Sequence, residues 1–301
     1  MTAIDEEQVS FEGEGNLKLH GWFSKPCTTS TQVPALVLQG TVAGTAEHLR
    51  PVARRFAKAG FGVLCYDHRN FGNSEGTPRQ EADPWLQTKD LRRAMTYLES
   101  RPDVDGERLG LWGLSYGGAN ALFVTSLDIR VRAVAGIAPP VSGYAAARAH
   151  RSRTQMRRVA EATAEERRDR WLGHHPKMIP LFGTGSPNEL SLFDPLSTEV
   201  AGGRGTELTL LSLDLLLQLE LLPYAPRIEV PAFLVKAAHD TVCLPSLIDD
   251  FAAHLPGTKE LLSLDCTHFD VLTRQLPRIV GASAKFFTEA LSPTVHGVSP
   301  D

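Results

Sequence analysis

A rhythm is the strongest constraint on the fold of this 301-residue chain. Short, nearly continuous apolar runs alternate with segments of helical spacing. The runs lie at Pro34–Gln39, Phe61–Asp67 and Arg108–Leu114 and from Val131, and two further segments, from Val230 and from Lys259, read simply as strands. Such runs suit strands covered on both faces. Helical spacing fills most of the intervals: Glu47–Ala59, Trp85–Arg101, about ten small residues after Ser115, then "SLIDDFAAHL" and Thr273–Ala290. Strict alternation of this kind predicts parallel βαβ units with right-handed crossovers. Two shorter alternating segments, Val9–Phe11 and Leu17–Phe23, flank the turn "GEGN" and predict a leading hairpin. Between about Ser142 and Pro226 the rhythm stops. The chain therefore divides into a sheet core at 1–141 and 227–292, a helical cap insertion at 142–226, and a flexible tail at 293–301.

Bulk properties exclude several classes. A formal charge of −4 and a pI near 6.2 give no global case for nucleic acid or a membrane surface as partner. Four cysteines, Cys27, Cys65, Cys243 and Cys266, are widely spaced and form no CxxC pair. That spacing suits a reducing compartment and argues against a structural zinc site. The acidic start "MTAIDEEQVS" has no apolar signal core. A cytoplasmic protein of enzyme size is the expectation.

Chemistry enters at "RLGLWGLSYGG", where an apolar run meets a helix at Gly113-Leu-Ser115-Tyr-Gly117. A serine held in a sharp strand-to-helix turn needs flanking glycines, and the helix N-terminus beneath it favours developing negative charge. Serine is a poor nucleophile without a base, so a histidine and a carboxylate should follow. His268 lies just past the last strand and Asp240 at the end of the strand before it, so neighbouring strands would bring them side by side. Asp265 and Asp270 compete for the carboxylate role, and His239 is a bystander beside Asp240. Two N–H donors must receive the oxyanion. Tyr116 supplies one and the loop after "ALVLQG" the other, through Thr41 or, failing that, Val42.

The stretches "YDHRNFGNSEGTPRQEADPWLQTKDLRRAMTYLESRPDVDGERLGLWGLSYGG", "IAPPVSG" and "CTHFDV" resemble the α/β-hydrolase superfamily, in its dienelactone-hydrolase-like branch with the fungal polyketide transferases and esterases. The likeness implies an α/β-hydrolase fold: a mostly parallel, doubly wound sheet with a cap. It implies Ser115 as nucleophile, Asp240 and His268 as its partners, and neither metal nor cofactor. One departure is Gln39-Gly40, where that family usually carries His-Gly.

The substrate is then an ester or thioester with an apolar or polyketide-like acyl group, hydrolysed through an acyl-enzyme on Ser115. The alternative is an acyltransferase passing the same group to an alcohol or amine, and a non-catalytic ligand-binding relative is a remote third reading. Two cap features bear on this choice. Leu208–Leu222 is mostly leucine, either core or a wall for a long acyl chain. From Arg148 to Arg170, eight arginines face four acids, a local balance of +4. That run is either a solvated helix face or a dock for a carrier-protein- or CoA-bound substrate. A homodimer is left open.

Overall fold

The computed structural model describes residues 3–27, 32–184, 186, 189–193 and 207–293. Strands β1 (Ile4–Glu12) and β2 (Lys18–Pro26) form the leading antiparallel hairpin, and both are longer than the alternation implies. The added part of β1 carries Asp5, Glu6 and Glu7 at a sheet edge, where no buried face writes a hydrophobic pattern. The expected alternation follows: β3 (Val33–Gln39), α1 (Ala46–Lys58), β4 (Gly62–Tyr66), α2 (Pro84–Glu99), β5 (Val104–Leu114), α3 (Tyr116–Thr125) and β6 (Val131–Ile137). Next come α4 (Gly143–His150), α5 (Arg153–Trp171), a two-stranded ribbon of β7 (Met178–Pro180) and β8 (Glu207–Thr209), α6 (Leu210–Leu217), and a 3-10 turn at Leu222–Arg227. The chain closes with β9 (Ala232–Ala237), α7 (Pro245–Ala253), β10 (Lys259–Leu264), α8 (His268–Leu272) and α9 (Leu276–Ala290).

Eight strands pair in the order β1-β2-β4-β3-β5-β6-β9-β10. The pairs from β4 to β10 are parallel, and only β1–β2 and β2–β4 run antiparallel. Residues of β3 alternate between two cores. Ala35 and Val37 face Leu91, Met95 and Phe251, whereas Leu36 and Leu38 face Phe56, Ile279 and Phe287. Helices α2, α3 and α7 therefore cover one face, and α1 and α9 the other. Strand order reverses at β3, so the carboxyl ends of β3 and β5 open a crevice where ligands bind in sheets of this kind. A third apolar cluster, with Val42, Tyr116, Val159, Leu208 and Leu213, joins the segment between β6 and β9 to that crevice.

One sequence expectation gains a detail and one is corrected. The closing helix expected over Thr273–Ala290 is α9, which begins at Leu276 and is preceded by a short separate helix, α8. Its start is built for capping: the Thr267 hydroxyl accepts from the Asp270 N–H, and the Asp270 carboxylate accepts from the Thr267 N–H. The leucine run is not one helix. It enters as β8, turns helical over Leu210–Leu217, and leaves through a bridge from Glu220 to Ser142. Of the expected tail at 293–301, all but Pro293 lies outside the described residues, as do 185, 187–188 and 194–206 between β6 and β9.

Backbone contact holds the crevice together. A Cβ on Gly117 would stand 2.4 Å from the carbonyl oxygens of both Gln39 and Gly40, and one on Gly113 would stand 2.1 Å from that of Gly117. Neither partner is a side chain that can step aside. The substitution Gly117→Ala should therefore cost about 1–3 kcal/mol, the range for overpacking, read as a lower urea midpoint at unchanged slope. An unchanged midpoint would contradict this close approach.

Candidate active site

Ser115 sits where β5 ends and α3 begins, with φ 54° and ψ −121°. A non-glycine residue there stores about 1–3 kcal/mol of strain, and such strain persists only where surrounding structure enforces it. Here the enforcement is visible. The Ser115 N–H donates to the Ile137 carbonyl at 2.7 Å, and its carbonyl accepts from the Gly118 N–H at 2.8 Å. The hydroxyl is thereby turned away from the sheet, toward the loops after β9 and β10.

Those loops deliver the two partners. Ser115 Oγ donates to His268 Nε2 at 3.0 Å, and His268 Nδ1 donates to Asp240 Oδ2 at 2.7 Å. The other Asp240 oxygen, Oδ1, accepts from the N–H groups of Val242 at 2.8 Å and Cys243 at 2.7 Å. The carboxylate is thus held from one side by backbone and from the other by imidazole. All three residues are buried, with Ser115 7 %, His268 4 % and Asp240 4 % exposed. Because Asp240 accepts the Nδ1 proton, the Nε2 lone pair is left for the serine.

The rival carboxylates lie elsewhere. Asp265 is 93 % exposed at its side chain and pairs with His239 at 2.7 Å, out on the surface. Asp270 caps α8 and takes Arg274 Nε at 2.9 Å. The Thr267 N–H first, then Arg274, pulls its carboxyl down to about 2.

Around the hydroxyl the structure opens a cavity of about 380 Å³. Thr41, Val42 and Tyr116 line it beside Ser115, so the loop after β3 and the start of α3 border the same space. Leu213, Leu216, Leu217, Phe182, Phe193 and Phe269 make much of the remaining wall. The leucine run thus serves both readings: Leu208 and Leu210 are core, while the later turn of α6 is cavity wall. Beneath the floor lies a buried polar group. The Tyr116 hydroxyl donates to Gln87 Oε1 at 2.5 Å, which anchors the residue after Ser115. Gln39, standing where a histidine is usual, is 1 % exposed beside the Tyr66 hydroxyl, with its amide atoms outside hydrogen-bonding geometry. Burial pushes the neighbouring His68 down to about 4, so that ring stays neutral.

Sequence reasoning missed Cys243. It is 2 % exposed, lines the cavity, and has its thiol against the Ser115 hydroxyl. Burial pushes that thiol well above its ordinary range, and the charge of Asp240 adds to the effect, so it stays protonated. The arginine run divides as well. Arg157 pairs with Glu161 at 2.8 Å on an open face, and Arg167 pairs with Asp214 of α6. Arg170 bridges Glu166 at 2.8 Å and Glu81 at 2.6 Å. Arg151 lines the cavity and donates to the carbonyls of Ser191 and Leu192, both at 2.8 Å. Several of these arginines tether the segment rather than decorate it.

A model of the family described as alpha/beta hydrolase fold matches residues 34–275. The "Thiohydrolase aneE" of Aspergillus aculeatus is 39 % identical over 144 residues, which span 46 % of this chain and 44 % of that protein, less than half its length. The "Acyltransferase drtE" of Aspergillus calidoustus is 27 % identical over 308 residues, spanning 97 % of this chain and 94 % of its own. Among solved structures, the alpha/beta hydrolase GrgF from Penicillium sp. sh18 superposes with a TM-score of 0.80 over 95 % of this chain and 99 % of its own. At 24 % identity that likeness shows the shared fold. Among the described residues, no helix is long and apolar enough to cross a membrane.

The cap on α8 makes a pH prediction. A carboxyl held at about 2 when folded adds stability above its unfolded value of about 4. That contribution fades as the pH falls from about 4 toward 2. Urea unfolding should find Asp270→Asn less stable than the parent at pH 7, with the gap narrowing through that window. A gap of constant size from pH 7 down to 3 would contradict the assignment.

Proposed function

The chain belongs to the alpha/beta hydrolase fold family, and from that premise we propose that it is a serine acyl-transfer enzyme, hydrolysing an ester or thioester with an apolar acyl chain. One observation carries the reading: the hydrogen-bonded series Ser115–His268–Asp240 ends in a largely apolar cavity. In the first step Ser115 Oγ bonds to the acyl carbonyl carbon while its proton passes to His268 Nε2. The carbonyl electrons move onto oxygen, which the N–H groups of Tyr116 and Thr41 receive, a donor pair whose loss of one member costs about 10²–10³ in rate. The carbonyl then re-forms, and the alcohol or thiol leaves with the proton from His268. Water, deprotonated by the same nitrogen, releases the acid and frees Ser115.

A second reading has its own support. The relative that aligns over 97 % of this chain bears the name acyltransferase. An alcohol or amine in place of water would make the same steps a transfer, and a polyketide-like acyl group would fit the cavity equally. In either case the acyl chain enters on a carrier protein or CoA in this proposal, and the exposed arginines of α5 meet its phosphate or acidic surface.

Three measurements test these statements. Asp240→Asn should lower kcat by about 10⁴, because His268 loses the group that fixes its tautomer, and a loss under tenfold would sink the triad. On a ladder of straight-chain p-nitrophenyl esters, kcat/KM should rise about fourfold per methylene until the cavity fills, since each buried methylene is worth about 0.8 kcal/mol. A flat profile would exclude the acyl pocket. Reversing Arg157 and Arg158 to Glu should weaken turnover of CoA-bound or carrier-bound substrates and spare small esters, whereas equal loss on both removes the docking role.

A further inference from the structure

Cys243 takes no part in the chemistry above, yet its side chain stands in the middle of it. The sulfur, a nitrogen of His268 and a carboxylate oxygen of Asp240 all lie within 4.8 Å of one another. Each of the three residues is buried, and both Cys243 and His268 open onto the cavity, which supplies a way in for a small solute. A thiol and an imidazole form a sulfur–nitrogen donor pair of the kind that borderline-soft divalent ions select. Mg²⁺ and Ca²⁺ prefer oxygen cages instead. Tetrahedral zinc, with bonds of about 2.0–2.3 Å, separates its donors by about 3.5 Å, so the set needs to close by about an ångström.

The orientation of His268 favours this further. Asp240 accepts its Nδ1 proton at 2.7 Å, which leaves Nε2 unprotonated, its lone pair toward the Ser115 hydroxyl and backed by a carboxylate. Zinc-binding histidines are commonly held by the same carboxylate arrangement. In addition, the backbone N–H of Cys243 donates to Asp240 at 2.7 Å, so the residue that brings the sulfur also holds the carboxylate in place. The sulfur and the carboxylate therefore keep a fixed relation.

We propose that Cys243 and His268, backed by Asp240, form a Zn²⁺ site that reversibly inhibits the enzyme. The inhibition rests on the proposed function, because zinc occupies the nitrogen that must take the Ser115 proton. On binding, the S–H bond of Cys243 breaks, a sulfur–zinc bond forms, and the proton leaves to solvent. No electron is transferred. Removing the ion with a chelator restores the lone pair and the activity.

Co²⁺, added alone to the metal-free protein, is the probe, since a thiolate ligand gives it a near-ultraviolet charge-transfer band. Wild type and Ser115→Ala should both develop this band with one equivalent of Co²⁺ and lose it when Zn²⁺ is added. Cys243→Ser, which keeps the shape of the side chain, should lack the band. Its half-inhibiting Zn²⁺ concentration, measured against its own uninhibited rate, should rise at least about tenfold. Cys243→Ala is the second variant and should behave alike. Absence of the band in wild type, or Zn²⁺ sensitivity equal to that of wild type in both Cys243 variants, overturns the site. Retained turnover in Ser115→Ala would overturn the catalytic reading instead, and the band in that variant does not depend on turnover.

Discussion

The contact of Gly117 with the carbonyls of Gln39 and Gly40 is the constraint on which the rest depends. It brings the carboxyl ends of β3 and β5 to backbone distance at the point where strand order reverses. Only residues without a Cβ permit that approach, so Gly113 and Gly117 are set by sterics before any chemistry is considered. With the two strand ends locked, Ser115 is forced to positive φ, and its hydroxyl has one direction in which to point. The strain is affordable because several backbone hydrogen bonds and two apolar layers share it.

Given that fixed hydroxyl, electrostatics decides what it can do. The series from Ser115 through His268 to Asp240 is removed from water, and its far end is hydrogen-bonded by two backbone N–H donors rather than paired with a cation. An Asp240 paired with an arginine would have held His268 less well as a proton acceptor, since the carboxylate charge would be spent on the guanidinium. Backbone donors satisfy the oxygen and leave the charge available to the imidazolium that forms on reaction. The apolar cavity adds to this, because fewer waters screen the developing charges.

Much of the fold was legible in the sequence, for a physical reason. Strands buried on both faces write continuous apolar runs, and β3, β4, β5, β6 and β9 are of that kind. Illegible parts lack such a face: the edge strand β1, and the two-stranded ribbon between α5 and α6. The separate helix α8 before the closing one was hidden because five residues are too few to show a helical period, and only the reciprocal Thr267–Asp270 cap marks its start. At the site, Ser115, Asp240 and His268 could be proposed because each follows a strand end, so chain order stood in for distance. Cys243 carried no such mark. A lone buried cysteine reads as a small apolar residue until the turn after Asp240 brings its sulfur toward Ser115.

The account turns on one covalent species, an acyl ester on Ser115. Its most direct test is intact-mass analysis of the protein quenched in acid within seconds of mixing with a long-chain acyl thioester, followed by peptide mapping. The account predicts a mass gain equal to the acyl group, located on the peptide that contains Ser115 and absent from Ser115→Ala. Turnover of the thioester with no acyl adduct, or with the adduct on another residue, would contradict it.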